Sequence, residues 1–176
     1  APVVFPPPPL ELPLPDDVVD RALVLMQMPT GSERTRGATS LAGVKSDHLK
    51  RAEVMAALEK QLRDGDRSAR EAAARTLVTW VTKNDVPLIL ELLQGADRGA
   101  ISDRVRLIEK LGESKDPRAA KALAAALKEG VERSAAAAAL KKIGPPAENA
   151  VIPILADPSF VIRRAAIDVL KDIGTK

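Results

Sequence analysis

Few residues in this sequence have side chains suited to catalysis. The chain of 176 residues has no Cys and a single His, His48. Thiolate nucleophiles, disulfides and Cys-based metal sites are therefore excluded, and so are sites built on several histidines. No acid pair is singled out for glycoside hydrolysis, and no glycine-rich phosphate loop is present. From these absences we predict that the protein is not an enzyme and holds neither a metal nor a cofactor.

The composition predicts a helical chain with a separate N-terminal segment. Hydrophobic residues make up 45% of the chain but aromatic residues only 2%, and the net charge is +3. Residues 1–15 hold half of the 14 prolines, so we expect an extended Pro-rich arm or linker there. Phe5 and the four prolines after it also resemble a ligand of EVH1 domains.

No apolar run reaches the ~18 residues that cross a membrane, so no membrane partner is predicted. The compartment is left open, cytoplasmic by default, with an exported and processed domain as the alternative.

One helical pattern recurs five times from Asp16 onward. The segment from Val161 to Gly174 aligns with that from Val131 to Gly144 at an offset of 30, and earlier copies follow at offsets of 32, 31 and 36. A further helix precedes each copy. Because such a pair cannot bury its apolar face alone, we predict an all-α, right-handed α-solenoid of about five two-helix repeats over residues 16–176. The predicted repeats cover residues 16–45, 46–82, 83–114, 115–144 and 145–176.

Periodicity and capping residues also predict the helices within these repeats. The first helices are expected over residues 16–28, 47–63, 85–93, 117–128 and 146–155. The second helices are expected over residues 33–45, 68–82, 100–111, 131–143 and 160–173. Trp80 takes the apolar slot that Leu111 and Ile143 hold in other repeats, so it is predicted to lie in the core. Left-handed glycines are expected to end helices at Gly112, Gly130, Gly144 and Gly174.

The segment from Asp157 to Gly174 resembles a HEAT repeat of the short type named after phycobilisome lyases, and residues 116–127 resemble its first helix. The resemblance covers residues 46–176 well and 16–45 more weakly. It implies a ladder between repeats, made by a turn aspartate and a second-helix arginine. The ladder residues that it assigns are Arg34, Arg70, Arg133, Arg163, Asp64 and Asp157. Ile101 takes the arginine's place in the third repeat, so we expect the ladder to be broken there.

A basic stripe on the second helices is the strongest binding candidate. Positions aligned with Arg164, Asp168 and Lys171 are expected to face outward on the concave side, where they could bind an acidic segment. Acids such as Glu71 and Glu109 also lie there, so a merely solvated face is the alternative. The partner-binding candidates are Arg75, Arg106, Lys141, Arg164 and Lys171.

The expected function is a non-catalytic protein–protein interaction or scaffold module of a larger protein. Its expected partner is an unknown protein or peptide of acidic character, bound through the second-helix face. The alternative is a lyase-like or enzyme-accessory HEAT protein. The proteins after which the family is named handle a tetrapyrrole, and the aromatic groups that would meet such a ligand are sparse here. Weak nucleic-acid binding through the basic face is a second alternative, disfavoured because stacking aromatics are few.

Overall fold

The computed structural model describes residues 16–95 and 103–174. The described residues form ten α helices in five successive pairs and no strand, so the all-α class is confirmed. The first helices of the pairs are α1 (Val18–Leu25), α3 (Arg51–Asp64), α5 (Val86–Gln94), α7 (Ala120–Ala126) and α9 (Glu148–Val151). The second helices are α2 (Gly31–Ser40), α4 (Arg67–Trp80), α6 (Arg104–Ser114), α8 (Arg133–Ile143) and α10 (Phe160–Ile173). The predicted arm lies outside the described residues, and the right-handed sense of the stack stays a prediction.

Several of these helices begin at a residue whose side chain accepts backbone N–H groups of the first turn. The carboxylate of Asp17 accepts the backbone N–H groups of Val19 and Asp20 at the start of α1. Asp66 accepts the N–H of Ala69 at 3.1 Å at the start of α4. These acids satisfy donors that have no partner within the helix and lie at its positive end. None of the described helices is long and apolar enough to cross a membrane.

Prolines shorten the first helices of the last two repeats. A 3-10 turn at Pro117–Ala119 precedes α7, and α9 is only four residues long between 3-10 segments at Pro145–Ala147 and Ile152–Ala156. The continuous helices expected over residues 117–128 and 146–155 are therefore wrong in detail. Proline has no N–H to continue the α-helical hydrogen-bond pattern, so the chain adopts the tighter 3-10 form.

Three of the four glycines expected to be left-handed at helix ends are not, since Gly144 alone among the described glycines has a positive φ; the three are Gly112, Gly130 and Gly174. Gly144 does follow α8 with φ of 81°, but Gly174 after α10 has φ of −62°. Gly112 lies inside α6, and the left-handed residue after that helix is Lys115, with φ of 54°. A Cβ at Gly112 would lie only 2.7 Å from the Cα of Ala139 on α8. Gly112 is therefore needed for the close approach of two second helices.

Replacing Gly112 with alanine should lower the free energy of unfolding by about 1–2 kcal/mol. The new methyl group overlaps the backbone of α8, and this overpacking exceeds the gain in helix propensity. Thermal and urea unfolding followed by circular dichroism would measure the change. The matched control is Gly43→Ala, because no heavy atom lies within 4 Å of a Cβ there and its φ is not left-handed. Equal stability of the two variants would contradict the packing of α6 on α8.

One continuous core runs through the five helix pairs. It contains buried residues from every pair, including Val19, Leu58, Ile89, Leu140 and Val169. Trp80 is fully buried, which confirms its predicted place in the core. Its indole N–H donates to the carbonyl of Leu41 at 3.0 Å, a contact between the first two repeats. The second helices therefore stack through side-chain-to-backbone hydrogen bonds as well as apolar contacts.

Candidate functional site

The five basic residues predicted to bind a partner are all exposed. Lys141 and Lys171 already have carboxylate neighbours: Nζ of Lys141 lies 2.6 Å from Asp172 of the next repeat, and Nζ of Lys171 lies 3.8 Å from Asp168. The other three form no side-chain hydrogen bond or ion pair with a described residue; they are Arg75, Arg106 and Arg164. Part of the stripe is therefore neutralised within the stack, and partner binding by the remainder stays a prediction.

The ladder arginines bind backbone carbonyls of their own repeats. Each donates to carbonyl oxygens five or six residues earlier, at the turn between the first and second helices. Arg34 donates to Met28 and Pro29, Arg70 to Gly65, Arg133 to Leu127 and Lys128, and Arg163 to Asp157 and Pro158, over 2.6–3.5 Å. A guanidinium presents several donors in one plane, so it can satisfy carbonyls left unpaired where the first helix ends. These arginines hold the two helices of a repeat together.

Contacts between repeats involve Asp157, which the resemblance assigned, and also Asp66, which it did not assign. Arg34 pairs with Asp66 of the next repeat at 2.7 Å, whereas the side chain of Asp64 lies outside the described part of the structure. The pKa of Asp66 is below its usual value because the N–H of Ala69 and the guanidinium of Arg34 both donate to it. Asp157 pairs with Lys128 of the preceding repeat at 3.2 Å. Its pKa is also lowered, first by the N–H of Ser159 and then by Lys128.

The third repeat has an arginine one helical turn later than expected. Ile101 lies outside the described residues, but Arg104 donates to the carbonyl of Leu93 at 3.1 Å and pairs with Glu132 of the fourth repeat.

Ion pairs cross all four junctions between repeats. They are Arg34–Asp66, Lys50–Asp20, Arg51–Asp85, Arg63–Glu91, Arg104–Glu132, Lys128–Asp157 and Lys141–Asp172. Many charges on this chain are therefore structural.

Lys110 supports the junction between the second and third repeats from the second-helix side. Its ammonium group donates to the carbonyls of Val78 and Val81 at the end of α4. Burial lowers the pKa of Lys110, and the nearby positive charge of Arg106 lowers it further. Lys110 is therefore a helix-capping residue and is not available to a partner on the basic stripe.

A groove of about 680 Å³ lies between the turn that follows α1 and the helix α3, at the junction of the first two repeats. It is lined by Met26, Gln27, Met28, Pro29, Arg34, Ala56, Ala57, Lys60, Gln61 and Gly65, and we call it the α1–α3 groove. The corresponding place between α5 and α7, next to Arg104, encloses only about 90 Å³. The sequence predicted binding on the second-helix face, and it did not reveal this groove at the turn between α1 and α2.

The α1–α3 groove combines apolar walls with polar groups that lack partners. Gln61 is only 6% exposed; its amide nitrogen donates to the carbonyl of Met26 at 2.7 Å, while its Oε1 has no hydrogen-bond partner. Nε of Arg34 is also buried without a partner. Lys60 is exposed and its side chain forms no ion pair or hydrogen bond with a described residue. Flexible methionines beside the unpaired ammonium group of Lys60 suit an apolar anion, and Oε1 of Gln61 can accept a hydrogen bond from a donor on the same ligand.

The described residues hold no group of three or more His, Asp and Glu side chains placed to bind a metal. The groove residues themselves are poor metal ligands, because their polar atoms are an amide, a guanidinium and an ammonium. The chemistry available in the α1–α3 groove is therefore binding of a carboxylate-bearing ligand by ion pairs and hydrogen bonds.

No protein-family model and no curated protein matches this chain. Solved structures do match it. The complex of CpcE and CpcF of phycocyanin lyase from Nostoc sp. PCC7120 is 24% identical with a TM-score of 0.54, over 99% of this chain and 71% of that chain. An engineered protein is 17% identical with a TM-score of 0.56, over 89% of this chain and 79% of that one. This chain has the HEAT-like repeat fold. The predicted all-α solenoid is confirmed with it.

The comparison corrects one prediction. The expectation that this HEAT-like chain is not an enzyme is wrong, because the fold that matches 99% of it belongs to a phycocyanin lyase complex. The reasoning failed because the absence of Cys and the presence of a single His exclude only Cys-based sites and sites built on several histidines. They do not exclude a lyase that uses other side chains. The matching structure is also a complex of two proteins, which supports the expectation of a protein partner.

Proposed function

We propose that this chain is a lyase-like or enzyme-accessory HEAT protein that acts together with a protein partner. The observation that carries the proposal is the structural likeness to a phycocyanin lyase complex over 99% of the chain. Such a role requires a surface for a partner and a separate place for a small molecule. The α1–α3 groove supplies the second of these.

The α1–α3 groove suits a large apolar molecule that carries carboxylates. Its volume of about 680 Å³ lies within the range of small-molecule sites. Met26, Met28 and Ala57 supply apolar walls, and Lys60 supplies a cation without a partner. A linear tetrapyrrole has this chemistry, an extended conjugated body with two carboxylates, and it is the class of ligand that the resemblance to lyases implies. We therefore assign the groove to a tetrapyrrole, with Lys60 paired to one of its carboxylates and Oε1 of Gln61 accepting a hydrogen bond from a pyrrole N–H.

Replacing Lys60 with glutamate should weaken tetrapyrrole binding by about tenfold, the effect of losing one charge-assisted hydrogen bond. The measurement is a titration of the purified chain with phycocyanobilin, followed by the shift of the bilin absorption band. Arg106→Glu is the matched control, because it makes the same charge change at an exposed position on the second-helix side. Both variants should melt at the wild-type temperature.

Two results would overturn this assignment. Wild-type protein that produces no shift of the bilin band at micromolar concentration would remove tetrapyrrole binding. Equal weakening by Lys60→Glu and Arg106→Glu would show that only overall charge matters and that the α1–α3 groove is not the site.

A further inference from the structure

The α1–α3 groove lies close to Asp16, the first described residue. The helices α1 and α3 run in the same direction, because the residue before α3, Lys50, pairs with Asp20 near the start of α1. At the other end, Gln61 of α3 donates to the carbonyl of Met26 just after α1. The groove is at this second end. The segment from Asp16 to Met26 is mostly helical and rises about 1.5 Å per residue, so the groove lies about 15 Å from Asp16.

Residues 1–15 are joined to Asp16 and can reach this groove by turning back along α1. A Pro-rich chain in the extended polyproline form advances about 3.1 Å per residue. Glu11 lies five residues before Asp16, so such a chain brings it about 15 Å from that residue, level with the groove. We call residues 10–12, which read Leu-Glu-Leu, the strap.

The side chains of the strap complement those of the groove. Leu10 and Leu12 are apolar and suit the methionine walls, which adapt readily in shape. Glu11 is the only Asp, Glu, Lys or Arg among residues 1–15. Lys60 is exposed, and no described residue supplies it with a carboxylate. The charge of the strap therefore has an unpaired charge of opposite sign within its reach.

The strap also carries the backbone donors that the groove lacks. Oε1 of Gln61 is buried and accepts no hydrogen bond from the described residues. The prolines on either side of the strap have no N–H, whereas Leu10, Glu11 and Leu12 each have one. The strap therefore offers an N–H for Gln61 beside a carboxylate for Lys60.

We propose that the strap docks in the α1–α3 groove, with Glu11 paired to Lys60, and that a tetrapyrrole binds only after displacing it. The competition rests on the proposed function, because strap and tetrapyrrole both use Lys60 and Oε1 of Gln61. Docking of the strap does not rest on it. The short tether gives the strap a high effective concentration, but one exposed ion pair is weak, so we expect the strap to fill the groove in about half of the molecules.

This partial occupancy is compatible with the expected effect of Lys60→Glu on tetrapyrrole binding. Releasing a strap that is present in half of the molecules changes the apparent affinity for the tetrapyrrole only about twofold. The tetrapyrrole's own loss of an ion pair is larger. Lys60→Glu therefore still weakens tetrapyrrole binding.

Carbodiimide crosslinking of the full chain tests the docking. This reagent joins a carboxylate to an amine only where the two groups are in contact, and peptide mass spectrometry locates the link. We expect an amide between Glu11 and Lys60. Lys141 and Asp172, which pair at 2.6 Å, are the positive control. Lys121 is the matched negative control, because it is exposed, has no ion pair with a described residue and lines a different groove, between α7 and α9.

Three further measurements make the result specific. A mixture of unlabelled and isotope-labelled chains should show that the link forms within one molecule. Phycocyanobilin that fills about nine-tenths of the grooves should reduce the link between Glu11 and Lys60 about tenfold and leave the link between Lys141 and Asp172 unchanged. Glu11→Lys and Lys60→Glu should each abolish the link alone, and the two together should restore it between the same positions.

Docking is wrong if the positive control forms and Glu11 does not link to Lys60. A link between two molecules, or an equal yield between Glu11 and Lys121, would also overturn it. A link that persists at saturating phycocyanobilin would overturn the competition. If wild-type protein binds no bilin, the proposed function fails, whereas the crosslink still decides whether the strap docks.

Discussion

Replacing Trp80 with alanine should lower the free energy of unfolding by about 3–5 kcal/mol. The side chain is fully buried, so its removal leaves a large cavity among α2, α3 and α4. Its N–H donates to the carbonyl of Leu41 at 3.0 Å, so the substitution also leaves a buried acceptor without a partner. Urea unfolding followed by circular dichroism is the measurement, because the variant has no tryptophan fluorescence.

Trp80→Phe separates the two contributions. It keeps most of the apolar volume but removes the N–H donor, so we expect a smaller loss of about 1–3 kcal/mol. Hydrogen exchange should show the effect of Trp80→Ala most strongly in α2 and α4, which this contact joins. A loss below about 1 kcal/mol for the alanine variant would contradict the burial of Trp80 at the first junction.

Replacing Leu140 with alanine should lower the free energy of unfolding by about 2–5 kcal/mol. Leu140 is fully buried in α8, a helix that contacts α6, α7 and α10, so the cavity lies at the centre of the third, fourth and fifth repeats. The matched control is Ser134→Ala on an exposed position of the same helix, for which we expect a change within about 0.5 kcal/mol. Equal losses for the two variants would show that the buried face of α8 is not the one described.

The repeats could be predicted from the sequence because their signal is local. The helix α10 spans Phe160–Ile173, as the periodicity of apolar residues predicts. Trp80 was placed in the core because it occupies an apolar slot that recurs in other repeats. Local rules failed where a proline interrupts a first helix, as at Pro153, and where the apolar pattern allowed more than one helix end, as at Gly112.

The candidate sites could be predicted only in part. Exposure of Arg106 and Lys171 follows from their positions on amphipathic helices, but the pairing of Lys141 with Asp172 depends on the register between two helices 30 residues apart. The pairing of Arg34 with Asp66 depends on register between the first two repeats for the same reason. A glutamine among apolar residues, such as Gln61, is only a weak sequence signal for a polar site. Whether its amide atoms find hydrogen-bond partners depends on which segments of the chain pack around it.

The amino-acid sequence by itself determined that this chain is a stack of helix pairs, since a 3.6-residue apolar period and a 30-residue repeat are properties of the chain alone. Only the tertiary structure decided which charges bind within the stack and which remain free, because ion pairs between repeats depend on helix spacing and register. It also decided that a groove of about 680 Å³ opens between the turn after α1 and α3, whereas the described residues beside Arg104 enclose only about 90 Å³. The difference arises because a cavity between repeats depends on side-chain volumes contributed by several distant segments at once.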